Sequence, residues 1–323
     1  LNRSRDPVLV TGGAGFIGSW TVEKLVGEGY TVIVLDNLSS GSKDNLYGVM
    51  DKIEFVHGDI KDTDLLDKLF SKYRFKSVIH LAALVGVNEV ADNPVEGYSV
   101  NVTGTFNLLE MCRRHGIERL VYASSAAVYG DPLYLPVNEG HTLNPKNLYG
   151  ATKLAGEALV NSYSMNYGLS TISLRYFNVY GPRMKGGPYA GVIYAFINSI
   201  LEGKPLTIYG DGLQTRDFVY VEDVAEANLI ALESNATGSY NIGSGSSISI
   251  KDLAYLIKSL SRYKDIDIVY REPRPGDIRH SRADITKACR VLGWRPKTSL
   301  REGLLKTINY YLGSQGSLAK FSS

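Results

Sequence analysis

An α/β fold, a doubly wound parallel sheet with a smaller, interleaved α+β part toward the C-terminus, is predicted by three observations. Residues 7–18, PVLVTGGAGFIG, read as a short apolar strand, a turn with glycines at 12, 13, 15 and 18, and the start of an amphipathic helix carrying Trp20, Val22, Leu25 and Val26. Short apolar runs then alternate with helical patterns, the signature of βαβ units with right-handed crossovers. Beyond Pro182 the rhythm changes: Gly, Pro and Tyr become frequent, and helix patterns are interrupted by short strands such as LTIYG.

Composition bounds the function. At 323 residues the chain exceeds a single core of about 100–200 residues, so two domains or one large α/β unit is expected. Thirty-five basic against 33 acidic residues leave a net charge of +2 without a long single-sign run, which disfavours nucleic acid and anionic membranes as partners. Cys112 and Cys289 lie far apart with no metal-knuckle or redox neighbours, as suits a reducing compartment. The leading LNRSRDP has no apolar signal core and no run approaches the ~18 apolar residues of a membrane span, so a soluble, cytoplasmic protein is expected. The glycosylation patterns at Asn101 and Asn235 are discounted on the same ground.

Taken in order, the glycine turn lets backbone N–H groups approach a pyrophosphate at the positive end of a helix dipole, so it predicts a dinucleotide site. The second strand, Val32 to Leu35, ends at Asp36, eighteen residues after Gly18. An acidic side chain near that offset reaches the adenosine ribose hydroxyls and repels a 2′-phosphate, favouring NAD over NADP; otherwise Asp36 caps the next turn. KIEFVHGDI supplies a third strand ending at Asp59, and a helix with Leu65, Leu66, Leu69 and Phe70 follows. SVIHLAAL is the fourth strand, residues 95–116 one long helix, and RLVYASSAAVYG the fifth strand. Ligands gather at the carboxyl ends of such strands, here Asp36, Asp59, Ile60, Ala82, Ala83 and residues 124–127. His80 reads as a core histidine, and His57, His115, His141 and His280 are scattered, so no metal site is expected.

After a loop rich in Pro, Asn and Gly, residues 148–168 form a helix on which Tyr149 and Lys153, four apart, share one face. STISLRYFNVYGP is a sixth strand with its exit loop, and SYNIGS is a later strand able to rejoin the main sheet. ISIKDLAYLIKSLS and TSLREGLLKTINYYL are amphipathic helices, and the tail GSQGSLAKFSS is small and polar enough to be loosely held. A free phenol titrates near 10, so a phenolate at pH 7 takes about 4 kcal/mol of differential stabilisation. Lys153 and a positively charged nicotinamide supply it in this reading, making Tyr149 a general base toward a sugar hydroxyl, with Ser125 at the end of the fifth strand sharing the proton. Alone, a YxxxK pair is more often an exposed tyrosine beside a solvated lysine; its place after the glycine turn, Asp36 and Ser124–Ser125 favours catalysis.

TGGAGFIG, Asp36, Asp59–Ile60, HLAA at 80–83, Asn101, SSAAVYG at 124–130, Tyr149 with Lys153, and RYFNVYGPR at 175–183 together resemble the extended short-chain dehydrogenase/reductase family. Within it, residues 7–312 are most similar to nucleotide-sugar epimerases acting on UDP-glucose, UDP-galactose and their N-acetylated counterparts. The resemblance implies a Rossmann-type NAD domain over residues 1–175 and about 218–245. It implies a UDP-sugar domain over 176–217 and 246–312, with 313–323 a loose tail. It also implies a cofactor held through turnover, a UDP-hexose substrate, and a homodimer packed through the helices containing Asn101–Arg114 and Tyr149–Met165.

Carried over by position, it implies Ser125, Tyr149 and Lys153 as the catalytic set. Cofactor contacts would come from Gly12, Gly15, Phe16, Ile17 and Gly18, then from Asp36, Asn37, Ser39, Ser40 and Gly41. Further along they would come from Asp59, Ile60, Leu81, Ala82, Ala83 and Asn101, and finally from Ser124, Tyr149, Lys153, Tyr176 and Val179. Substrate contacts are implied at Val85, Ser125, Tyr149, Asn178 and Val192. They are also implied at Tyr209, Arg216, Arg274, Asp277 and Ser281. In that scheme Asn178 meets the diphosphate, Tyr209 packs against uracil, and Arg216 and Arg274 neutralise phosphate charge, for which the planar guanidinium fork is suited. The plainer readings are an ion pair of Arg216 with Asp217 or Glu222, and interdomain packing for Tyr209.

Departures narrow the reaction. Sugar 4,6-dehydratases carry Asp-Glu after the strand-end hydroxyl and UDP-glucuronate decarboxylases a nearby glutamate, where this chain has Ala126 and Ala127. Alanine supplies no second acid, which disfavours dehydration. UDP-glucuronate 4-epimerases tend to carry threonine at Asn178. Ser281 stands where epimerases restricted to unsubstituted hexoses carry a bulky tyrosine, which leaves room for an N-acetyl group; otherwise it is a loop residue without sugar contact. Alternatives to a UDP-hexose 4-epimerase are another member acting on nucleotide sugars, or a non-catalytic NAD-binding protein that kept the fold.

Overall fold

The computed structural model describes residues 5–184, 186–187, 190–262, 265–273 and 277–318. Its first strands are β1 (Arg5–Thr11), β2 (Tyr30–Asp36), β3 (Ile53–His57), β4 (Ser77–His80), β5 (Arg119–Ser125) and β6 (Ser170–Tyr176). The helices between them are α1 (Phe16–Gly27), α2 (Thr63–Tyr73), α3 (Val87–Asp92), α4 (Pro94–Tyr98), α5 (Thr105–Arg114) and α6 (Leu148–Tyr167). Later come β7 (Asn178–Tyr180), α7 (Val192–Leu201), β8 (Leu206–Tyr209), β9 (Thr215–Arg216), β10 (Phe218–Tyr220), α8 (Val221–Glu233) and β11 (Gly238–Ile242). The chain continues with β12 (Ile248–Ser249), α9 (Ile250–Leu260), β13 (Ile268–Arg271) and α10 (Leu300–Leu318).

β11-β6-β5-β4-β1-β2-β3 form one seven-stranded sheet in which every pairing is parallel. Strand period decides its two faces. Val8, Val10, Val32 and Val34 point into a core shared with Val22 and Leu25 of α1 and Val224 and Ala227 of α8. Leu9, Ile33 and Leu35 point into the opposite core, with Leu66 and Phe70 of α2, Leu108 and Cys112 of α5, and Val160 of α6. Apolar side chains thus run continuously along strands buried on both faces, each fully buried Val or Leu contributing about 1.5–3 kcal/mol. Strand order reverses between β1 and β4, opening a crevice at their carboxyl ends.

A third core gathers Tyr180, Phe196, Ile197, Leu206, Ile208, Tyr220, Leu253, Ile257 and Leu304. Here β8 pairs with β13 in parallel, β9 with β12 antiparallel, and β10 with β7 in parallel, each as a two-stranded sheet. β11 returns to the main sheet beside β6, so the two parts of the molecule are interleaved along the chain. Residues 218–245 are divided: Phe218 and Tyr220 pack into the third core, while Val219 and Tyr240 pack into the first.

Several elements differ from their sequence expectation. The helix expected over residues 95–116 runs as continuous helical backbone from Pro94 to Arg114, but with a π-helical turn at Ser99–Gly104, where Asn101 turns its amide inward. The sixth strand stops at Tyr176, because Phe177 turns into a small cluster with Val128, Tyr129, Val137 and Ala283, and β7 resumes in a different sheet. The third and fourth strands end at His57 and His80, leaving Asp59 and 81–84 as loop on the crevice wall. Helix α10 continues to Leu318, so the start of the expected tail is helical: extending a formed helix adds a hydrogen bond per residue at little nucleation cost.

Candidate active site

Above the strand-order reversal lies a cavity of about 460 Å³, within the range of small-molecule sites. Its floor begins at the glycine turn. Gly12 has φ of 71° and a Cβ there would come within 2.6 Å of the Ala82 nitrogen; at Gly18 it would come within 2.0 Å of the Gly12 carbonyl oxygen. Both close approaches demand glycine. Helix α1 starts at Phe16 with no side-chain cap and no acid in its first turn, and Gly15, Phe16, Ile17 and Gly18 line the cavity. The free N–H groups of that first turn therefore meet whatever fills the cavity.

Asp36 closes β2 with its carboxylate fixed by two backbone donors: Ala14 N–H at 2.9 Å and Leu38 N–H at 2.8 Å. A carboxylate has about four acceptor positions, so two stay open for ribose hydroxyls. The turn-capping reading and the ribose-binding reading of Asp36 are thus compatible. Asn37, Ser39, Ser40, Asp59 and Ile60 line the same end, and Asn37 Nδ2 donates to Asp59 at 2.9 Å. The site fits a dinucleotide with an unphosphorylated adenosine ribose.

At the other end, Ser124, Ser125, Tyr149, Lys153, Tyr176 and Val179 share the wall with Leu81, Ala82, Ala83 and Val85. Asn147 caps α6 through the Gly150 N–H, which fixes the register that puts Tyr149 and Lys153 on the cavity side. The Ser125 hydroxyl accepts the Ala127 N–H at 3.1 Å, so its own proton remains available to a ligand or to Tyr149. Burial raises the Tyr149 phenol above its usual value, and the Ser125 hydrogen bond opposes the rise. Lys153 is buried and pushed down to about 7 by that burial, with the Glu157 carboxylate pulling upward. The sequence expectation concerns Tyr149 beside both Lys153 and a positively charged nicotinamide; without that second cation, burial is the larger influence on the phenol.

Behind the wall, Glu157 lies one turn beyond Lys153 on α6. It accepts from Arg175 Nη2 at 2.5 Å, from Ser239 Oγ at 2.7 Å and from Ser124 Oγ, all buried or nearly so. Arg175 Nη1 also donates to the Tyr129 hydroxyl at 2.9 Å. Two predicted cofactor residues stand off the wall. Asn101 clamps the wall instead: its Nδ2 donates to the Leu84 carbonyl at 3.0 Å and Thr152 Oγ1 at 2.9 Å, and its Oδ1 accepts the Leu84 N–H at 2.8 Å. Gly41 presses on the Ala14 backbone, where a Cβ would fall 2.7 Å away.

The predicted substrate residues divide similarly. Asn178 Nδ2 donates to the Asp217 carbonyl at 3.1 Å, Tyr209 closes β8, and Val192 opens α7 beside the wall residue Gly191. Arg216 pairs with Asp277, two residues both read as substrate contacts, rather than with Asp217 or Glu222. The Asp217 carboxylate is instead turned inward, accepting Ser244 Oγ at 2.7 Å and the Gly245 and Ala283 N–H groups at 3.0 Å. That buried knot holds the 281–283 segment, where Ser281 N–H donates to the Thr215 carbonyl at 3.1 Å. Arg274 lies outside the described residues. Wall residues not anticipated include Leu84, Gly86, Glu89, Phe177, Arg183 and Met184. Arg183 ends the RYFNVYGPR run, which was the available signal.

His80 sits between Thr11 Oγ1 at 2.7 Å and Thr105 Oγ1 at 3.0 Å, and burial pushes it down to about 3. Among the described residues no group of three or more His, Cys, Asp or Glu is placed to hold a metal, and no helix is long and apolar enough to cross a membrane.

Residues 8–243 match the model of the NAD dependent epimerase/dehydratase family. The chain is 40% identical over 307 residues to the UDP-glucose 4-epimerase of Mycolicibacterium smegmatis, covering 94% of this chain and 97% of that protein. Its fold is similar to that of Thermotoga maritima UDP-glucose 4-epimerase with UDP-glucose, with TM-score 0.92, 40% identity and coverage of 96% and 99%. It is also similar to the Thermus thermophilus UDP-glucose 4-epimerase complex with NAD, with TM-score 0.89, 39% identity and coverage of 95% and 99%. A glycine turn at a helix N-terminus, Asp36 on the wall of the same cavity and a family match over most of the chain converge on one assignment. The chain belongs to the NAD dependent epimerase/dehydratase family.

Proposed function

We propose that this protein is an NAD-dependent UDP-hexose 4-epimerase that interconverts UDP-glucose and UDP-galactose. The observation that carries the reading is that Tyr149, Lys153 and Ser125 line the same cavity as the glycine turn and Asp36. Bound NAD supplies the acceptor and later the donor of the C4 hydride, together with positive charge that favours a phenolate. Tyr149 takes the proton from the 4-hydroxyl as the C4–H bond breaks, leaving a 4-keto sugar. Ser125 shares that hydrogen bond, and Lys153 steadies the phenolate. After the keto sugar turns over in the site, Tyr149 returns the proton as hydride reaches the other face, so net redox change is zero. Ala126 and Ala127 offer no second acid for dehydration, and the reading is tested by turnover across UDP-galactose, UDP-glucuronate and UDP-N-acetylhexosamines without added reductant.

The proposal extends to N-acetylhexosamines. Ser281 is only partly buried on the segment that Asp217 holds, its N–H bonded to the Thr215 carbonyl next to Arg216, and a serine there is far smaller than a tyrosine. Ser281→Tyr is expected to lower UDP-GlcNAc turnover at least about tenfold relative to UDP-galactose, the cost of a lost fit of about 1–3 kcal/mol. An unchanged ratio removes the idea.

The proposed assembly is a homodimer through α5 and α6. These helices pack side by side, with the Phe106 and Tyr163 rings 6.4 Å apart, and still present Phe106, Met165 and Tyr167 to solvent, Met165 at 87% exposure. Sedimentation at micromolar concentration is expected to give twice the chain mass, and the chain mass alone would contradict it. Cys112 and Cys289, both free, support the cytoplasm as its compartment.

A further inference from the structure

Arg183 combines two unusual properties. It lines the cofactor cavity, and with φ of 70° it is one of three non-glycine residues among those described that sit in the left-handed region. A strained backbone of this kind persists only where neighbouring interactions hold it. Among the described residues, its side-chain interactions run to α1, the helix whose first turn faces the cavity. Nη2 donates to Glu23 Oε1 at 2.7 Å, Nη1 donates to Ser19 Oγ at 3.2 Å, and the guanidinium carbon lies 4.4 Å from the Trp20 ring centroid. Trp20 returns a bond from its Nε1 to the Pro182 carbonyl at 3.2 Å. The Arg183 side chain is only 17% exposed, so its charge-assisted bonds are poorly screened.

Topology gives this cluster its meaning. Ser19, Trp20 and Glu23 belong to the Rossmann-type layer, whereas Arg183 leads from β7 into the segment whose Met184 and Gly191 also line the cavity. The tie therefore spans the seam between the part that presents the helix N-terminus and the part that covers it. An enzyme that lends and reclaims one hydride per cycle loses activity each time its cofactor leaves, so a pinned seam answers a chemical need.

We propose that Arg183 is the pin that retains the dinucleotide: its ties to Ser19, Trp20 and Glu23 hold residues 182–184 against α1, and NAD leaves only when they break. This rests on the reading of the cavity as an NAD site. Arg183 acts as a positioning residue here, through α1 rather than on the reacting atoms. Lysine is a poor substitute, because it offers a point charge without the planar fork that bonds two acceptors and stacks on indole.

The test is the rate at which purified holoenzyme releases NAD, followed by trapping free NAD with excess alcohol dehydrogenase and ethanol and reading NADH absorbance. Arg183→Gly removes the side chain and also relieves the backbone, so a faster release reports the lost ties and not added strain. Release is expected to quicken about 10- to 100-fold in Arg183→Gly, the range of a lost charged hydrogen bond, with a smaller gain in Glu23→Gln and partial restoration in Arg183→Lys. Wild-type release rates in Arg183→Gly would overturn the pin while leaving the cofactor site standing. If Arg183→Gly is insoluble, Glu23→Gln decides: an unchanged rate there overturns the pin equally. Wild-type protein that carries no NAD and binds none would overturn the cofactor reading together with the pin.

Discussion

Tyr149→Phe lowers kcat for UDP-galactose epimerisation by about 10³-fold, within the 10²–10⁴ range of general acid–base catalysis, and leaves KM within a few-fold of wild type. The reason lies in the geometry. Tyr149 lines the wall from α6 beside Lys153, its phenol is the acid/base group in the proposed reaction, and phenylalanine keeps the ring that fills the space. Ser125→Ala costs less, since its hydroxyl shares the proton without being its final acceptor. Loss confined to kcat marks an interaction made in the transition state, which steady-state kinetics on gel-filtered holoenzyme reads directly. A Tyr149→Phe variant that kept more than about a tenth of wild-type activity would move the base elsewhere.

Glu157→Leu destabilises the protein by about 3–5 kcal/mol, the cost of stranding one member of a buried ion pair. The stranded partner is Arg175, whose Nη2–Oε1 bond is 2.5 Å and whose side chain is 5% exposed. The midpoint of thermal unfolding is expected to fall by roughly 10 °C, at about 2–4 °C per kcal/mol. The double variant Glu157→Leu with Arg175→Met recovers part of that loss, because it removes the stranded charge as well. A double variant no more stable than the single one would show that the ion pair is not what holds this region. Glu157 also anchors Ser124, so the single variant disturbs the wall beside Ser125.

The difference between what the chain spells out and what only its fold reveals is visible at these two residues. Tyr149 was legible because a helix fixes the four-residue offset to Lys153, as a strand, a tight turn and a helix fix the offsets of Gly12, Gly18 and Asp36. Local geometry dictates local spacing, and the doubly wound sheet follows from apolar runs of strand length. Glu157 carried no such signal. Its partners Arg175, Ser124 and Ser239 come from three different strands that only the assembled sheet brings together. The same holds for Arg216, whose partner Asp277 is 61 residues away, while the nearby acids Asp217 and Glu222 invited the wrong pairing. The π-helical turn at Asn101 was hidden because its apolar pattern matches a regular helix, and the reason for it, a clamp on Leu84 and Thr152, is again a tertiary contact. The burial of Tyr149 and Lys153 was hidden for a related reason: spacing shows that the two are near, but not that desolvation acts on both.

The central claim is that one hydride leaves C4 of a UDP-hexose and returns to it within a single occupancy of the site. Incubating gel-filtered enzyme with UDP-galactose deuterated at C4, with no added cofactor or reductant, tests this most directly. The account predicts UDP-glucose that retains the deuterium at C4 and no accumulated keto or deoxy sugar. Deuterium lost to solvent, a dehydrated product, or unchanged UDP-galactose from NAD-loaded enzyme would contradict it.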